Sequence, residues 1–258
     1  MRDSFLKLLA SKRAWWIAAL SLLLLVGYVS RPFFKMVYLH YFNNSVEYAV
    51  EVLQSEEEGE QVRAEAASSL GSMFYKKTER ANDALIAALK DKSPQVAASA
   101  AWSLGDTNGT KPEVVAALIE ALDHEDGYVQ HQAAYALGRI GTSPGGGVAL
   151  RAIPKLREKL DDSNTMVRSE AASTLGELRD RGSIPRITKM LPSSEQGDRV
   201  CAVIALRHLQ PLPQESVRGI EQLVDDEDEF VRRLARETLD EIRLWEATKK
   251  EQLAKTRQ

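Results

Sequence analysis

The sequence contains a single cysteine, Cys201, in 258 residues. An internal disulfide framework is therefore excluded, and no Cys-x-x-Cys pair or Cys/His cluster indicates a zinc site. We interpret Cys201 as a small apolar residue of the core. Histidine is also scarce, with four residues, and no serine lies in a Gly-x-Ser-x-Gly context. We therefore expect no catalytic residue, no metal site and no cofactor, and we do not expect the chain to be an enzyme.

The chain also lacks the excess of positive charge that is typical of nucleic-acid binding. Its formal net charge is −3. Residues 1–43 hold six lysine or arginine residues and one aspartate, a net charge of +5, which leaves −8 for residues 44–258. Because a phosphate backbone is bound by clustered lysine and arginine side chains, we expect no nucleic-acid partner.

Long apolar runs are absent except for one, the 17 uncharged residues Ala14–Ser30. This length is at the short end of the range for a helix that spans a bilayer. Trp15, Trp16 and Tyr28 lie near its ends, where aromatic rings favour the membrane interface. A cleaved signal peptide is the alternative, but no Ala-x-Ala-like cleavage site follows Val29. The run therefore favours an uncleaved anchor in the lipid bilayer.

The charges that flank this run predict its orientation. Four lysine or arginine residues precede it and two follow it closely. The positive-inside rule then places the N-terminus in the cytoplasm and the rest of the chain outside the cell membrane, in the periplasm of a bacterium. The predicted segments are a basic cytoplasmic tail (1–13), a transmembrane anchor (14–30) and an aromatic juxtamembrane segment (31–43).

The rest of the chain is dominated by a repeat. An Ala-Ala pair is followed three residues later by Leu-Gly in four places, with leucine at positions 70, 104, 137 and 175, and two degenerate copies place leucine at 206 and 239. The steps between these leucines are 34, 33, 38, 31 and 33 residues. A period of this size is the signature of a stacked repeat architecture, which works by presenting a long surface.

Each repeat is predicted to be a pair of helices. In the second helix the alanines lie four and five residues after a valine, and the leucine lies eight residues after it, so these positions share one helical face. We expect that face to be buried, with valine at 62, 96, 129, 167 and 231 in the core. The glycine after each leucine is typical of the left-handed residue that ends many helices.

These residues resemble the HEAT repeat family, and in particular its short bacterial class, the phycobilisome-lyase HEAT-like repeats. The matching strings are VRSEAASTLG at residues 167–176, Ala152-Ile153-Pro154, Ser183-Ile184-Pro185, Val62-Arg63 and Val231-Arg232. The resemblance covers residues 44–244 and implies an all-α fold, a right-handed α-solenoid of about six helix pairs whose second helices line the concave side. Residues 245–258 are predicted to be a charged C-terminal tail.

The family contains scaffolds and a few enzymes, so the resemblance says little about activity. Its iron-binding enzymes use recurring His-Glu pairs on the second helices. Here the only similar context is His131-Gln132, where glutamine replaces the acid. The chromophore lyases resemble this chain through the generic repeat alone.

The second helices carry the candidate binding residues. Trp102 and Tyr135 occupy the same position in neighbouring repeats, six residues after the core valine. If this position faces the groove, the two rings form an aromatic platform of the kind that dominates protein interfaces. The alternative is that both rings only pack between repeats. The polar residues predicted to flank the platform are Ser99, His131, Gln132, Ser169 and Glu170.

The sequence thus predicts a membrane-anchored HEAT-repeat scaffold that binds an unidentified protein partner through its solenoid surface. Two alternatives stay open. One is an enzyme, or enzyme accessory, of the chromophore-lyase type. The other is an adaptor whose repeats face the cytoplasm and recruit partners to the inner leaflet.

Overall fold

The computed structural model describes residues 46–71, 79–106 and 110–255, except for the side chains of residues 251 and 253–255. The predicted tail, anchor and juxtamembrane segment at residues 1–43 lie outside the described residues. Within the described ranges no helix is both long enough and apolar enough to cross a membrane. Residues 48–258 form one unit of the chain, and the fold described below is that of this unit.

The described ranges contain helices and no strand, and the helices follow one another as six pairs. The first helices of the pairs are α1 (46–54), α3 (Glu79–Ala88), α5 (Pro112–Ala121), α7 (Ile153–Lys159), α9 (Ile184–Thr188) and α11 (Gln214–Gln222). The second helices are α2 (Glu60–Leu70), α4 (Pro94–Asp106), α6 (Gly127–Thr142), α8 (Thr165–Glu177), α10 (Gln196–His208) and α12 (Glu229–Lys255). The predicted all-helical repeat array is therefore confirmed.

Short 3-10 segments complete the path of the chain. Gly146–Ala152 and Arg181–Ser183 lead into α7 and α9, and Leu223–Asp225 follows α11. Helix α12 runs without a break through residues 244 and 245, where the sequence predicts the array to end and the tail to begin. Leu244 in this stretch is exposed.

The repeated leucines and most of the repeated valines form the core. Leu104, Leu137 and Leu175 are completely buried, and Val129 packs against Ala97 and Ala98 of the preceding second helix. The prediction for Val62 is wrong, because this side chain is 43% exposed. Its position normally contacts the preceding second helix, and no second helix precedes α2 in the described part of the chain.

The expected role of the Leu-Gly glycines is also wrong. Gly105, Gly138 and Gly176 lie within their helices, and Gly71, which ends α2, has a right-handed backbone with φ −74°. A Cβ atom added to Gly105 would meet the Cα atom of Ala136 at 2.7 Å, and one added to Gly176 would meet the Cα atom of Ala205 at 2.7 Å. These glycines allow consecutive second helices to approach backbone to backbone.

The first helices form one layer of the array and the second helices form the other. The second helices are packed more closely against one another than the first helices are. Consecutive second helices touch along their length, whereas consecutive first helices touch little. The Ser103 hydroxyl donates to the Ala67 carbonyl at 3.0 Å, and the Thr174 hydroxyl donates to the Ala134 carbonyl at 3.0 Å, so buried hydroxyls link the second helices directly.

An arginine holds the turn that precedes several of the second helices. In α8, Arg168 donates to the carbonyl groups of Asp162 and Ser163 at 2.8 and 2.9 Å. Arg63, Arg199 and Arg232 make equivalent bonds five or six residues back along the chain. Gln130 replaces the arginine in α6 and donates to the His124 carbonyl. The family-like Val-Arg string is therefore a device for fixing the turn.

Candidate functional site

Large apolar side chains that face solvent collect on the second helices. Among the described residues, eight large apolar side chains are exposed, and six of them lie on second helices: Val62, Trp102, Tyr128, Met166, Phe230 and Leu244. The other two are Tyr48 on α1 and Leu150 in the 3-10 segment. Clustered exposed apolar side chains mark interaction surfaces more often than scattered ones do.

The two rings of the predicted platform have different surroundings. Trp102 is 38% exposed and, within the described part of the chain, makes no hydrogen bond, ion pair or ring contact. Tyr135 is half-buried, and the guanidinium carbon of Arg139 lies 5.9 Å from its ring centroid. Arg139 also pairs with Asp106 of α4 at 2.5 Å. Each ring thus lies on the second-helix face, and the described contacts do not join them directly.

His131 is stacked on a ring that the sequence did not single out. Its imidazole lies 6.1 Å from the ring centroid of Tyr128, with an interplanar angle of 22°. Burial lowers the pKa of His131, and the main chain of Met166 opposes this only in part. The imidazole therefore stays neutral at neutral pH. Its buried Nδ1 atom has no hydrogen-bond partner within the described ranges.

Glu170 faces His131 across the groove between α6 and α8. Its Oε2 atom lies 3.7 Å from His131 Nδ1, too far for a hydrogen bond. Burial, together with the nearby charge of Glu177, raises the pKa of Glu170 to about 7. Because the imidazole is neutral, this contact supplies no countercharge. Glu170 therefore lies in the groove as a carboxyl group that is only partly ionised at neutral pH.

Glu177 lies two turns farther along α8, on the same side as Glu170. A Cβ atom on Gly138 would come within 2.3 Å of its Oε2 atom, so the carboxyl group occupies space left open by that glycine. Burial raises the pKa of Glu177, and the positive charge of Arg139 opposes this. The sequence did not single out Glu177, although its spacing of seven residues from Glu170 would have placed both on one face.

Ser169 has a structural role. It is buried, and its hydroxyl donates to Asp198 Oδ1 at 3.2 Å. Asp198 takes the position that valine fills in other repeats, and it also accepts bonds from Arg168 at 2.8 Å and from Ser193 at 2.9 Å. Ser169 therefore binds within this buried network rather than facing the groove. Ser99 and Gln132 are half-buried on α4 and α6.

Cys201 of α10 is not poised for nucleophilic chemistry. Burial, with the charge of Glu170 as the next cause, raises the pKa of its thiol to about 11. The thiol therefore stays protonated at neutral pH. No group of three or more histidine, cysteine, aspartate or glutamate residues in the described ranges could hold a metal ion. The second-helix face presents aromatic rings, neutral polar groups and the carboxyl groups of Glu170 and Glu177.

Comparison with known proteins finds the same kind of helical repeat. Residues 46–138, 115–207 and 153–240 match the family model described as HEAT repeats. The alpha subunit of phycocyanobilin lyase from Synechococcus elongatus is 34% identical over 117 residues, which cover 43% of this chain and 40% of that protein. The chain thus spans about two fifths of the length of this curated relative.

Solved structures share the fold. The complex of CpcE and CpcF of phycocyanin lyase from Nostoc sp. PCC7120 is similar with a TM-score of 0.55 and 26% identity, covering 76% of each chain. A designed armadillo repeat protein in complex with the peptide (KR)4 has a TM-score of 0.57 and 19% identity, covering 76% of this chain and 99% of that one. An engineered protein reaches a TM-score of 0.59 at 22% identity, covering 76% and 98%.

Proposed function

The chain belongs to the HEAT-repeat family, and from this membership we propose that it is a scaffold that binds another protein through the face of its second helices. One observation carries the proposal. Of the eight large apolar side chains exposed in the described ranges, six lie on second helices, where they face solvent without contributing to the core. Exposed aromatic and methionine side chains are enriched at protein interfaces.

The similar proteins support this kind of function without identifying a partner. The phycocyanin lyase structure is a complex of two proteins, and the designed armadillo repeat protein holds a peptide. In this chain the binding surface would be centred on Trp102 and Tyr135, with Ser99, His131, Gln132 and Glu170 around them. Ser169 would not contact the partner directly, because its hydroxyl donates to Asp198 beneath this surface. No catalytic step is part of the proposal.

Site-directed photocrosslinking in native membranes tests the binding face. A benzoylphenylalanine at Trp102 or at Tyr128 is expected to give an adduct with one protein of defined mass. The same residue at Leu150 is the matched control, because Leu150 is 50% exposed, like Tyr128 at 51%, but lies off the second helices. Equal adducts at Leu150, or none at the second-helix positions, would contradict the proposal.

The aromatic pair can be tested in the same assay. We expect the double variant Trp102→Ala/Tyr135→Ala to lose the adduct formed at Tyr128, because both rings would contact the partner. Its helical circular dichroism signal should stay unchanged, since Trp102 is 38% exposed and outside the core. Retained capture would show that the rings only pack.

We also propose that residues 14–30 anchor the array in the cell membrane, with the N-terminus in the cytoplasm and the array in the periplasm. The support is the apolar run itself and the distribution of charge around it. A cytoplasm-facing recruitment adaptor is the alternative arrangement. Reporter enzymes that are active on only one side of the membrane, fused after Gln258, distinguish the two.

A second candidate function is a chromophore-lyase-type enzyme or enzyme accessory. The observation that favours it is the 34% identity to a phycocyanobilin lyase subunit. This function predicts that the purified protein binds phycocyanobilin, with a shifted visible absorbance that stays with the protein in gel filtration. The scaffold function predicts no retained colour.

A further inference from the structure

The groove between α6 and α8 differs from the rest of the second-helix face. We call the surface formed by Tyr128, His131, Tyr135, Glu170 and Glu177 the α6–α8 face. It combines an exposed aromatic ring, Tyr128 at 51%, with two carboxyl groups on one side of α8. Met166, exposed at 49%, extends its apolar part at the start of α8. The surface thus offers apolar contact and negative charge side by side.

The two carboxyl groups of this face form no ion pair with a lysine or arginine in the described ranges, although the charge of Arg139 reaches Glu177 from farther away. In the described ranges neither Glu170 nor Glu177 lies within 4.0 Å of a lysine or arginine nitrogen. His131 contacts Glu170, but burial keeps it neutral. Arg139, whose charge reaches Glu177, already pairs with Asp106 of α4.

A second pair of glutamates shows that this arrangement is not general. Glu113 and Glu120 lie on α5 with the same spacing of seven residues. Both are exposed to water, and Glu120 pairs with Lys90 at 3.3 Å. Glu170 and Glu177 are instead half-buried, so water screens them less and they attract a cation more strongly.

Resting on the proposed scaffold function, we propose that the α6–α8 face binds a segment of the partner protein that carries arginine or lysine next to apolar side chains. A guanidinium or ammonium group would lie on the solvent side of the α6–α8 face and pair with Glu170 and Glu177. The exposed ring of Tyr128 would contact the methylene stems and apolar neighbours, and tyrosine faces also attract cations. Charge complementarity of this kind selects the partner more than it sets the total affinity.

Peptide binding to the full chain, purified in detergent, tests the proposal. The probe is a fluorescein-labelled octapeptide of alternating lysine and arginine, followed by fluorescence anisotropy at pH 8. An octapeptide of alternating glutamate and aspartate serves as the acidic counterpart. We expect the basic peptide to bind, the acidic one to bind at least tenfold more weakly, and Glu170→Gln/Glu177→Gln to weaken the basic peptide about tenfold.

The matched control is Glu113→Gln/Glu120→Gln, which removes the same charge at the same spacing from α5. It should change binding of the basic peptide by less than about twofold, because exposed charges contribute little. Equal losses in the two double variants would mean that the peptide senses only the net charge, and would overturn the proposal. An unchanged affinity in Glu170→Gln/Glu177→Gln would overturn it too.

The result also separates this proposal from the scaffold function. If benzoylphenylalanine at Tyr128 captures a protein while the basic peptide does not bind, the scaffold function holds and the basic-segment proposal is wrong. If Tyr128 captures nothing and the peptide still binds in a Glu170-dependent way, the scaffold function fails as stated and the charge preference of the face holds. Circular dichroism of each variant confirms that it is folded.

Discussion

Glu170 shows how a single position on a repeat can depart from its neighbours. Its carboxyl group lies between His131 of α6 and Cys201 of α10 without a countercharge. An ionised carboxyl group in such surroundings loses hydration that nothing replaces, so the neutral form is favoured. Glu170 therefore lowers the stability of the folded chain whenever it is ionised.

The pH dependence of stability follows from this. Because the pKa of Glu170 in the folded chain is about 7, against an ordinary value of 4.5, the folded state binds more protons than the unfolded state between these values. The free energy of unfolding therefore falls as pH rises from about 4.5 to about 7. We expect Glu170→Gln to be more stable than the parent chain at pH 8, on the order of 2 kcal/mol, and to match it near pH 4.5.

Urea unfolding of both chains across this pH range measures the difference. Other titratable groups face Glu170 and are present in both chains, so the comparison measures the removal of the Glu170 charge together with its coupling to these groups. They are Glu177 on α8, His131 on α6 and Cys201 on α10. Parallel stability curves for the two chains would show that Glu170 is not destabilised by burial.

For single residues, the sequence could predict the helical face on which a side chain lies, but not the groups that the side chain contacts. The 3.6-residue periodicity placed Glu170, His131 and Tyr135 on the second-helix face. It could not show that Ser169 turns toward Asp198, because an aspartate replaces the expected valine at that position and its partners come from three separate segments. Burial of Glu170 depends on packing across three helices, which no local pattern contains.

At the scale of the helix, the Leu-Gly pairs set the distance between neighbouring second helices. The sequence pattern is equally typical of a helix end and of a close helix contact, since both favour a residue without a side chain. Only the register between helices decides between them. In the folded chain Gly105 faces the backbone of Ala136, with no space for another carbon atom.

We therefore expect Gly105→Ala to destabilise the chain. Glycine to alanine within a helix normally stabilises by about 0.5–1 kcal/mol, but here the new methyl group would lie 2.7 Å from the Ala136 Cα atom. The helices must separate, and overpacking of this kind costs about 1–3 kcal/mol. Thermal unfolding followed by circular dichroism measures the loss.

Gly59→Ala is the matched control, because a Cβ atom at Gly59 has no neighbour within 4 Å. Its backbone, with φ −64°, is also open to alanine. We expect the free energy of unfolding of this variant to change by no more than about 0.5 kcal/mol. A stable Gly105→Ala chain would mean that the second helices are not held at the distance described here.

At the scale of the whole array, stability is the sum of many contacts between neighbouring repeats. The sequence could predict this architecture because its evidence is repeated: one leucine or one valine proves little, but the same spacing in six units does. It could not predict Val62, since that side chain follows the pattern but has no preceding second helix to contact in the described ranges. The burial of a residue in a terminal repeat depends on which helices neighbour that repeat, and the sequence pattern of the repeat does not contain this information.

The position of a repeat in the array should therefore determine how many neighbouring helices are destabilised when one of its core leucines is truncated. Leu137 is completely buried in α6, which packs on second helices on both sides. Leu239 is 5% exposed in α12, which packs on only one second helix, α10, in the described part of the chain. Truncation of either leucine to alanine costs about 2–5 kcal/mol locally. In Leu239→Ala we expect amide hydrogen exchange to accelerate only from α10 through α12, because α10 loses part of its support and the remaining repeats keep their neighbours. In Leu137→Ala we expect acceleration from α4 through α8, because both neighbours of α6 lose part of their support. Hydrogen exchange followed by mass spectrometry resolves these segments, and uniform acceleration in both variants would show that the array unfolds as a single cooperative unit.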